Sequence, residues 1–229
     1  MMKSINPTTG ETINSFETYS EKGVEKIINA ADKCWHSWQK TSFSHRSQIM
    51  QNLASLLKSK KEKLAHLMAI EMGKVKKEGI AEIEKCAWVC DYYAQNAESF
   101  LENELIKTEA KKSFVSYQPI GTILAVMPWN FPFWQVFRFA APTIMAGNTA
   151  VLKHASNVPG CALEIEDLFR EAGFPENVFR TLLIGSRQVE NVIKHPAIKA
   201  VSLTGSTPAG KSVASIAGSV LKKCVLELG

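Results

Sequence analysis

The chain has 229 residues, 45% of them apolar, with 27 basic and 22 acidic side chains for a formal charge of +5. This is enough apolar material to bury a core in one large domain or two small ones, and it excludes a low-complexity chain. The basic excess is spread out, and its clusters at Lys58–Lys63 and Lys74–Lys77 lie among Glu62, Glu71 and Glu78 on helical patterns, so they read as solvated helix faces and argue against nucleic-acid binding.

The opening, Met1–Gly10, is polar and turn-rich, unlike the apolar part of a secretory signal. From there to about residue 105 the pattern is helical. Val24, Ile27, Ile28 and Ala31 recur at helix spacing, as do Ile49, Leu53, Leu56 and Leu57, and Leu64, Leu67 and Met68 ahead of Gly73. A long amphipathic helix is expected from Lys76 to Leu101, with Ile80, Ile83, Ala87, Cys90, Tyr93 and Ala94 on its apolar side. Ser113–Gln118 then alternates like a half-buried strand.

Pro119–Leu152 is apolar, with Arg138 as its only charge. Pro119, Pro128, Pro132, Pro142, Gly121 and Gly147 interrupt it too often for a membrane-spanning helix. Beyond it, apolar runs alternate with helical stretches. Strands are expected at Thr122–Val126, Thr149–Leu152, Val178–Leu183, Ala200–Leu203 and Cys224–Leu228. Helices are expected at Phe133–Ala146, Pro159–Ala172, Arg187–Lys194 and Pro208–Ala217. Strands apolar on both faces belong to a parallel sheet covered by helices. The expected fold is therefore α/β: a helical segment (1–105), a strand segment (108–118) and a doubly wound, Rossmann-like parallel sheet (119–229).

The five cysteines, Cys34, Cys86, Cys90, Cys161 and Cys224, form no metal-ligand spacing with the histidines. An odd count among apolar neighbours suggests reduced thiols in a cytoplasmic setting, and no metal is expected.

In an open parallel sheet, ligands bind where the strands end. Four expected strand ends carry polar groups: Asn130, Lys153, the Gly205–Gly210 loop and Glu227. Asn130 lies between Pro128 and Pro132 in Met-Pro-Trp-Asn-Phe-Pro-Phe-Trp-Gln. A rigid turn there could aim its two N–H donors at a developing oxyanion; the plain alternative is an aromatic-rich turn over a core edge. Gly-Ser-Thr-Pro-Ala-Gly enters a helix whose first N–H groups could hold a phosphate, although G-x-T-x-x-G misses both the dinucleotide fingerprint and the Walker spacing. Glu227, 22 residues after Gly205, could be a ribose-binding acid, a catalytic carboxylate or an ordinary strand-end glutamate.

Pro128-Trp-Asn-Phe-Pro132, Gly147-Asn-Thr-Ala-Val-Leu-Lys153, Thr204-Gly-Ser-Thr-Pro-Ala-Gly210, Leu226-Glu-Leu-Gly229 and the opening Asn6-Pro-Thr-Thr-Gly-Glu11 together resemble the aldehyde dehydrogenase superfamily across the whole chain. Trp134-Gln-Val and Leu152-Lys-His-Ala155 look most like its bacterial succinate-semialdehyde dehydrogenase branch. The resemblance implies NAD(P)-dependent oxidation of an aldehyde, with succinate semialdehyde as the expected substrate. Asn130 would donate to the oxyanion and Glu227 would be the general base. Lys153 would hold the adenosine ribose, with Trp129, Gly205, Ser206 and Gly210 around the cofactor. Arg138 would bind the substrate carboxylate. Ser156 stands where NAD-specific members often carry a glutamate, so NAD or NADP is expected, with NADP tolerated.

By the same resemblance, the nucleophilic cysteine would lie beyond Gly229, and none of the five cysteines present sits in a matching motif. The chain is expected to be truncated before the cysteine domain and inactive alone. The alternative is a catalytically dead nucleotide-binding or interaction fragment. Ser113–Gln118 resembles the family's oligomerisation strand, whose partner would also lie beyond Gly229. A homo-oligomer is expected when that half is present, and an unpaired, aggregation-prone strand when it is not.

Overall fold

Each of the first two long helices starts at a serine that can accept from the backbone, and each carries an apolar stripe at helical spacing. The computed structural model, which describes residues 1–229, places α1 at Glu21–Trp38 and α2 at Phe43–Met72. Ser20 Oγ accepts from Gly23 N and Ser42 Oγ from His45 N, each at 3.2 Å. Gly73 ends α2 in the left-handed region (φ 77°), where a side chain would be strained, and the chain reverses into α3, Lys76–Phe100.

The opening residues are not merely turn-rich. They form an antiparallel hairpin of β1, Met2–Ile5, and β2, Thr12–Phe16. Asn6 Oδ1 accepts from Thr8 N at 2.9 Å and shapes the turn. The side chains of β2 are mostly exposed, so they carry no alternation for a sequence reading to find. The expected strand at Ser113–Gln118 also differs. Only Phe114–Val115 (β4) is extended, and it pairs within the chain, antiparallel to Glu104–Leu105 (β3). The strand is therefore shorter than expected and is paired on one side.

The sheet agrees with expectation in every strand and differs in length. It comprises β5 (Thr122–Met127), β6 (Thr149–His154), β7 (Phe179–Thr181), β8 (Ile198–Gly205) and β9 (Lys223–Leu228), all parallel, in the order β7-β6-β5-β8-β9. Edge strand β7 stops at Thr181, although Leu182, Leu183 and Ile184 stay buried. The connecting helices are α4 (Trp134–Met145), α5 (Pro159–Ala172), α6 (Val189–Lys194, after a 3-10 turn at Ser186–Gln188) and α7 (Thr207–Ser219).

Helices cover both faces. Side chains of α2, α3, α4 and α5 share one core with Ala125, Ala150, Leu152 and Phe179 of the sheet. Those of α1, α6 and α7 share the other with Leu124, Val151, Val201 and Leu203. Within the first core Phe137, Phe169 and Phe179 stack, with centroids 5.7 and 4.4 Å apart. No helix is long and apolar enough to cross a membrane.

Helix α5 lacks a cap of its own, because Val158 at its N-cap offers no side-chain acceptor. The buried Glu71 carboxylate of α2 takes that place, accepting from Gly160 N at 2.7 Å and Cys161 N at 2.8 Å. It also meets the positive end of the helix dipole. Glu71→Ala is expected to lower the unfolding free energy by about 2–3 kcal/mol in denaturant titrations. Breaking the solvent-exposed Lys58–Asp91 pair should cost under about 1 kcal/mol. Equal losses at the two positions would contradict the capping argument.

Candidate functional site

Because the sheet is parallel, β5, β6, β8 and β9 all end on one edge. Beside that edge lies an open cleft of about 440 Å³, walled by Pro128, Trp129 and Asn130 after β5, by Thr204, Gly205 and Ser206 after β8, and by Glu227 at the end of β9. Asn130 and Glu227 thus line one space, although 97 residues separate them in sequence.

The direction of the Asn130 amide is set locally. Its Oδ1 accepts from Phe131 N at 3.1 Å, and Nδ2 donates to no other group of the protein, which leaves its two N–H groups available. The residues that follow are each held from below. The Lys74 ammonium lies 3.8 Å from the centroid of the Phe131 ring. The Pro132 carbonyl accepts from His154 Nε2 at 2.8 Å. Glu82 Oε1 accepts from Phe133 N and Trp134 N, both at 2.9 Å, and so caps α4, which has no side-chain cap of its own. The other Glu82 oxygen pairs with Lys74, and both of these charged side chains are buried.

His154 is neutral here, and its tautomer follows from its partners. Ala155 N donates to Nδ1 at 2.8 Å, so the ring proton sits on Nε2 and points at the Pro132 carbonyl. Burial, more than any other influence, pushes its pKa down to about 4.

Neighbouring strands bring Arg138 and Glu227 together. Glu227 is the lateral neighbour of Thr204 across β8 and β9, so both side chains lie on the α4 face. Arg138, one turn into α4, pairs with Glu227 through Nη1. Its Nη2 donates to Gln135 Oε1 at 2.9 Å and Thr204 Oγ1 at 3.2 Å. Arg138 faces a second, more apolar groove of about 340 Å³, and Gln135, Thr204 and Glu227 border both spaces.

Lys153 is placed differently. Its register partner is Val126, and alternation puts it with Val151 on the face that carries α1, α6 and α7. It is absent from the walls of the Asn130 cleft. Burial lowers its pKa and no charged neighbour contributes to that shift. Ser156 is exposed just past the same strand. Ser206 is the N-cap of α7, and its Oγ accepts from Ala209 N at 3.5 Å. Gly210 lies inside α7, where an added Cβ would come within 2.5 Å of Leu228 Cδ2, so its place is a helix–strand contact. Trp129 is half-exposed on the cleft wall.

No cysteine lines the cleft. Cys86, Cys90 and Cys161 are buried in the helical core, and burial raises their pKa values. Cys224 packs against the opposite core, and burial raises its thiol pKa too.

Glu71 and Lys74 were expected on solvated helix faces, but both are buried: Glu71 caps α5, and Lys74 lies in the turn between α2 and α3, paired with Glu82. Glu82 and the contact made by His154 were not anticipated from sequence. A signal was present, because the N-caps of α4 and α5 are Phe133 and Val158, and a helix start without a Ser, Thr, Asp or Asn cap requires an acceptor from elsewhere.

Two expectations follow. Glu82→Ala would leave the Phe133 and Trp134 N–H groups without an acceptor and Lys74 buried without a counter-charge, so a loss of about 3–5 kcal/mol is expected by denaturant unfolding. The His154 pKa is lower folded than unfolded, so its stabilising contribution is complete above about pH 6.5 and is lost as the pH falls toward 4. The loss should reach roughly 3 kcal/mol. His154→Asn should remove that part of the acid dependence, and matching pH–stability slopes in both proteins would rule the assignment out.

A model of the aldehyde dehydrogenase family matches residues 1–229. A probable succinate-semialdehyde dehydrogenase [NADP(+)] of Synechocystis sp. PCC 6803 is 50% identical over 226 residues, covering 99% of this chain and 50% of that protein. A succinate-semialdehyde dehydrogenase [NADP(+)] of Mycobacterium avium is 47% identical over 230 residues, covering 99% and 49%. The crystal structure of succinic semialdehyde dehydrogenase from Streptococcus pyogenes with NADP+ superimposes with a TM-score of 0.97 at 36% identity, over all of this chain and 50% of that one. An E. coli NADP-dependent enzyme gives 0.95 at 31%, over 100% and 48%. The chain spans about half the length of these relatives.

Proposed function

This chain belongs to the aldehyde dehydrogenase family, and on that premise we propose that it forms the nucleotide-binding part of an enzyme oxidising succinate semialdehyde, or a close relative, to the acid. The observation that carries this reading is the shared cleft of Asn130 and Glu227, with the amide donors of Asn130 unengaged. The relatives named for succinate semialdehyde and NADP(+) support the choice of substrate and cofactor.

Each residue then has a task. The Asn130 Nδ2 donors face an aldehyde oxygen and stabilise charge as it grows there. Glu227 accepts a proton from the attacking group. Arg138 receives the carboxylate at the far end of the substrate. The residues fit a dinucleotide: the Lys153 ammonium has no charged partner, and the Ser206 hydroxyl sits at the N-terminus of α7, where phosphate is favoured. Lys153 would hold the ribose hydroxyls, with Gly205 and Ser206 at the phosphates and Trp129 along the wall. The bound nucleotide would supply the hydride acceptor.

The attacking sulfur is not among the residues around the cleft. Residues 1–229 alone are therefore expected to bind nucleotide without oxidising aldehyde. The same placement of the cysteines favours the second reading, a nucleotide-binding or interaction module without turnover. Aldehyde-dependent formation of reduced nucleotide by the 229-residue polypeptide would overturn both expectations.

Two further readings concern surroundings. Exposed Leu105, Phe114 and Val115 on β3 and β4, Tyr117 just past β4, and Trp88 and Phe100 of α3 suit burial against a second copy. Free thiols suit a reducing, cytoplasmic compartment.

Cofactor choice is tested by binding alone. Ser156 puts no negative charge where a 2′-phosphate would lie. NADP should therefore bind at least as tightly as NAD. Ser156→Glu should weaken NADP about tenfold or more while sparing NAD, read by calorimetry or fluorescence. An unchanged NADP-to-NAD ratio would remove Ser156 from the cofactor site.

A further inference from the structure

Arg138 and Glu227 have separate tasks in the reading above, yet in the structure they bind each other. A guanidinium grips a carboxylate best with two parallel N–H groups. Here Nη1 is directed at Glu227 and Nη2 at Gln135 and Thr204, so the end of the guanidinium has no free pair of donors. A second carboxylate taking that paired grip must displace Glu227 from Nη1 and one neutral acceptor, Gln135 or Thr204, from Nη2, and only the first of these competitors is charged.

Glu227 has somewhere to go. Its side chain is half exposed and borders both the groove that Arg138 faces and the cleft that holds Asn130. Arg138 cannot move as freely, because it is only one-third exposed and is tied to Gln135 and Thr204. The mobile partner is therefore the carboxylate.

Resting on the proposed function, we infer that Arg138 and Glu227 form a substrate-released latch. The remote carboxylate of a short ω-carboxy aldehyde displaces Glu227 from Arg138 and frees it to swing into the Asn130 cleft as a base. An aldehyde without that carboxylate leaves the latch closed. Substrate choice would then act on the availability of the base as well as on binding. Recognition at Arg138 and reaction beside Asn130 are coupled through one side chain, and the coupling is reciprocal: whatever holds Glu227 at Arg138 weakens carboxylate binding.

The test needs no turnover. The 229-residue chain is titrated with succinate, with 1,4-butanediol as an uncharged control, and the Glu227 carboxyl carbon is followed by NMR. Succinate should move that resonance, at saturation, to the position it holds in unliganded Arg138→Met, and the diol should leave it in place. Glu227→Gln should bind succinate about threefold or more tighter than wild type, because the competitor for Arg138 is gone, and Arg138→Met should lose binding. If succinate binds while the Glu227 resonance stays put, both carboxylates share Arg138 and the latch is refuted. Equal affinity in wild type and Glu227→Gln refutes it as well. Absence of succinate binding with NADP binding intact removes the carboxylate site and the latch, and leaves the family-level reading standing. The wild-type resonance shift decides the matter even if a variant fails to fold.

Discussion

The candidate site depends on a buried carboxylate that never reaches it. Glu82 of α3 accepts from the backbone N–H groups of the α4 N-cap, Phe133, and its first residue, Trp134, and pairs with Lys74 beneath the Asn130 loop. Burying a carboxylate is costly unless the charge is matched and its lone pairs are filled. Here an ammonium, two amide donors and the positive end of a helix do both. The loop has no such means of its own, because Pro128 and Pro132 supply no backbone donor and the α4 N-cap is Phe133. Its position is therefore set by the helical layer, from 51 residues earlier in sequence.

Charges in this protein thus do two different jobs. Glu71 and Glu82 are enclosed, multiply bonded and fixed. The Arg138–Glu227 pair lies at the mouth of the strand ends, partly in solvent, with one member anchored and the other free to turn. Enclosed carboxylates of the first kind make a rigid frame. A pair of the second kind can exchange partners at little cost, since solvent screens what is lost.

Much of this was legible in the sequence, for identifiable reasons. Runs such as Thr122–Val126 and Thr149–Leu152 are apolar on both faces, as a covered parallel sheet requires, and Asn130, Lys153, the Gly205–Gly210 loop and Glu227 each lie at or just past a strand end as expected. Asn130 and Glu227 could be placed at one edge because parallel strands end together. Which face of the sheet a side chain takes was not legible. Lys153 and Glu227 point to opposite faces, and this follows from register with Val126 and Thr204, which depends on partners far along the chain. The capping glutamates were hidden for the same reason: on a helix, an inward glutamate reads like any other until its distant acceptor-poor helix start is known. The β1–β2 hairpin escaped notice because β2 is almost wholly exposed and the buried face of β1 presents only Met2 and Ser4, too short an alternation to mark a strand.

The capping arrangement also constrains how the molecule can change over evolutionary time. Glu71 stands near the end of a 30-residue helix, and successive residues turn by about 100° around a helix axis. A single inserted or deleted codon in α2 ahead of Glu71, with the rest of the helix held in place, would swing that carboxylate away from Gly160 and Cys161, and the same holds for Glu82 in α3. These helices are phase-locked to partners that translation produces much later. Length variation among descendants should therefore collect in the connections, such as the stretch between β3 and β4, while α2 and α3 keep their residue count even where their surface side chains drift.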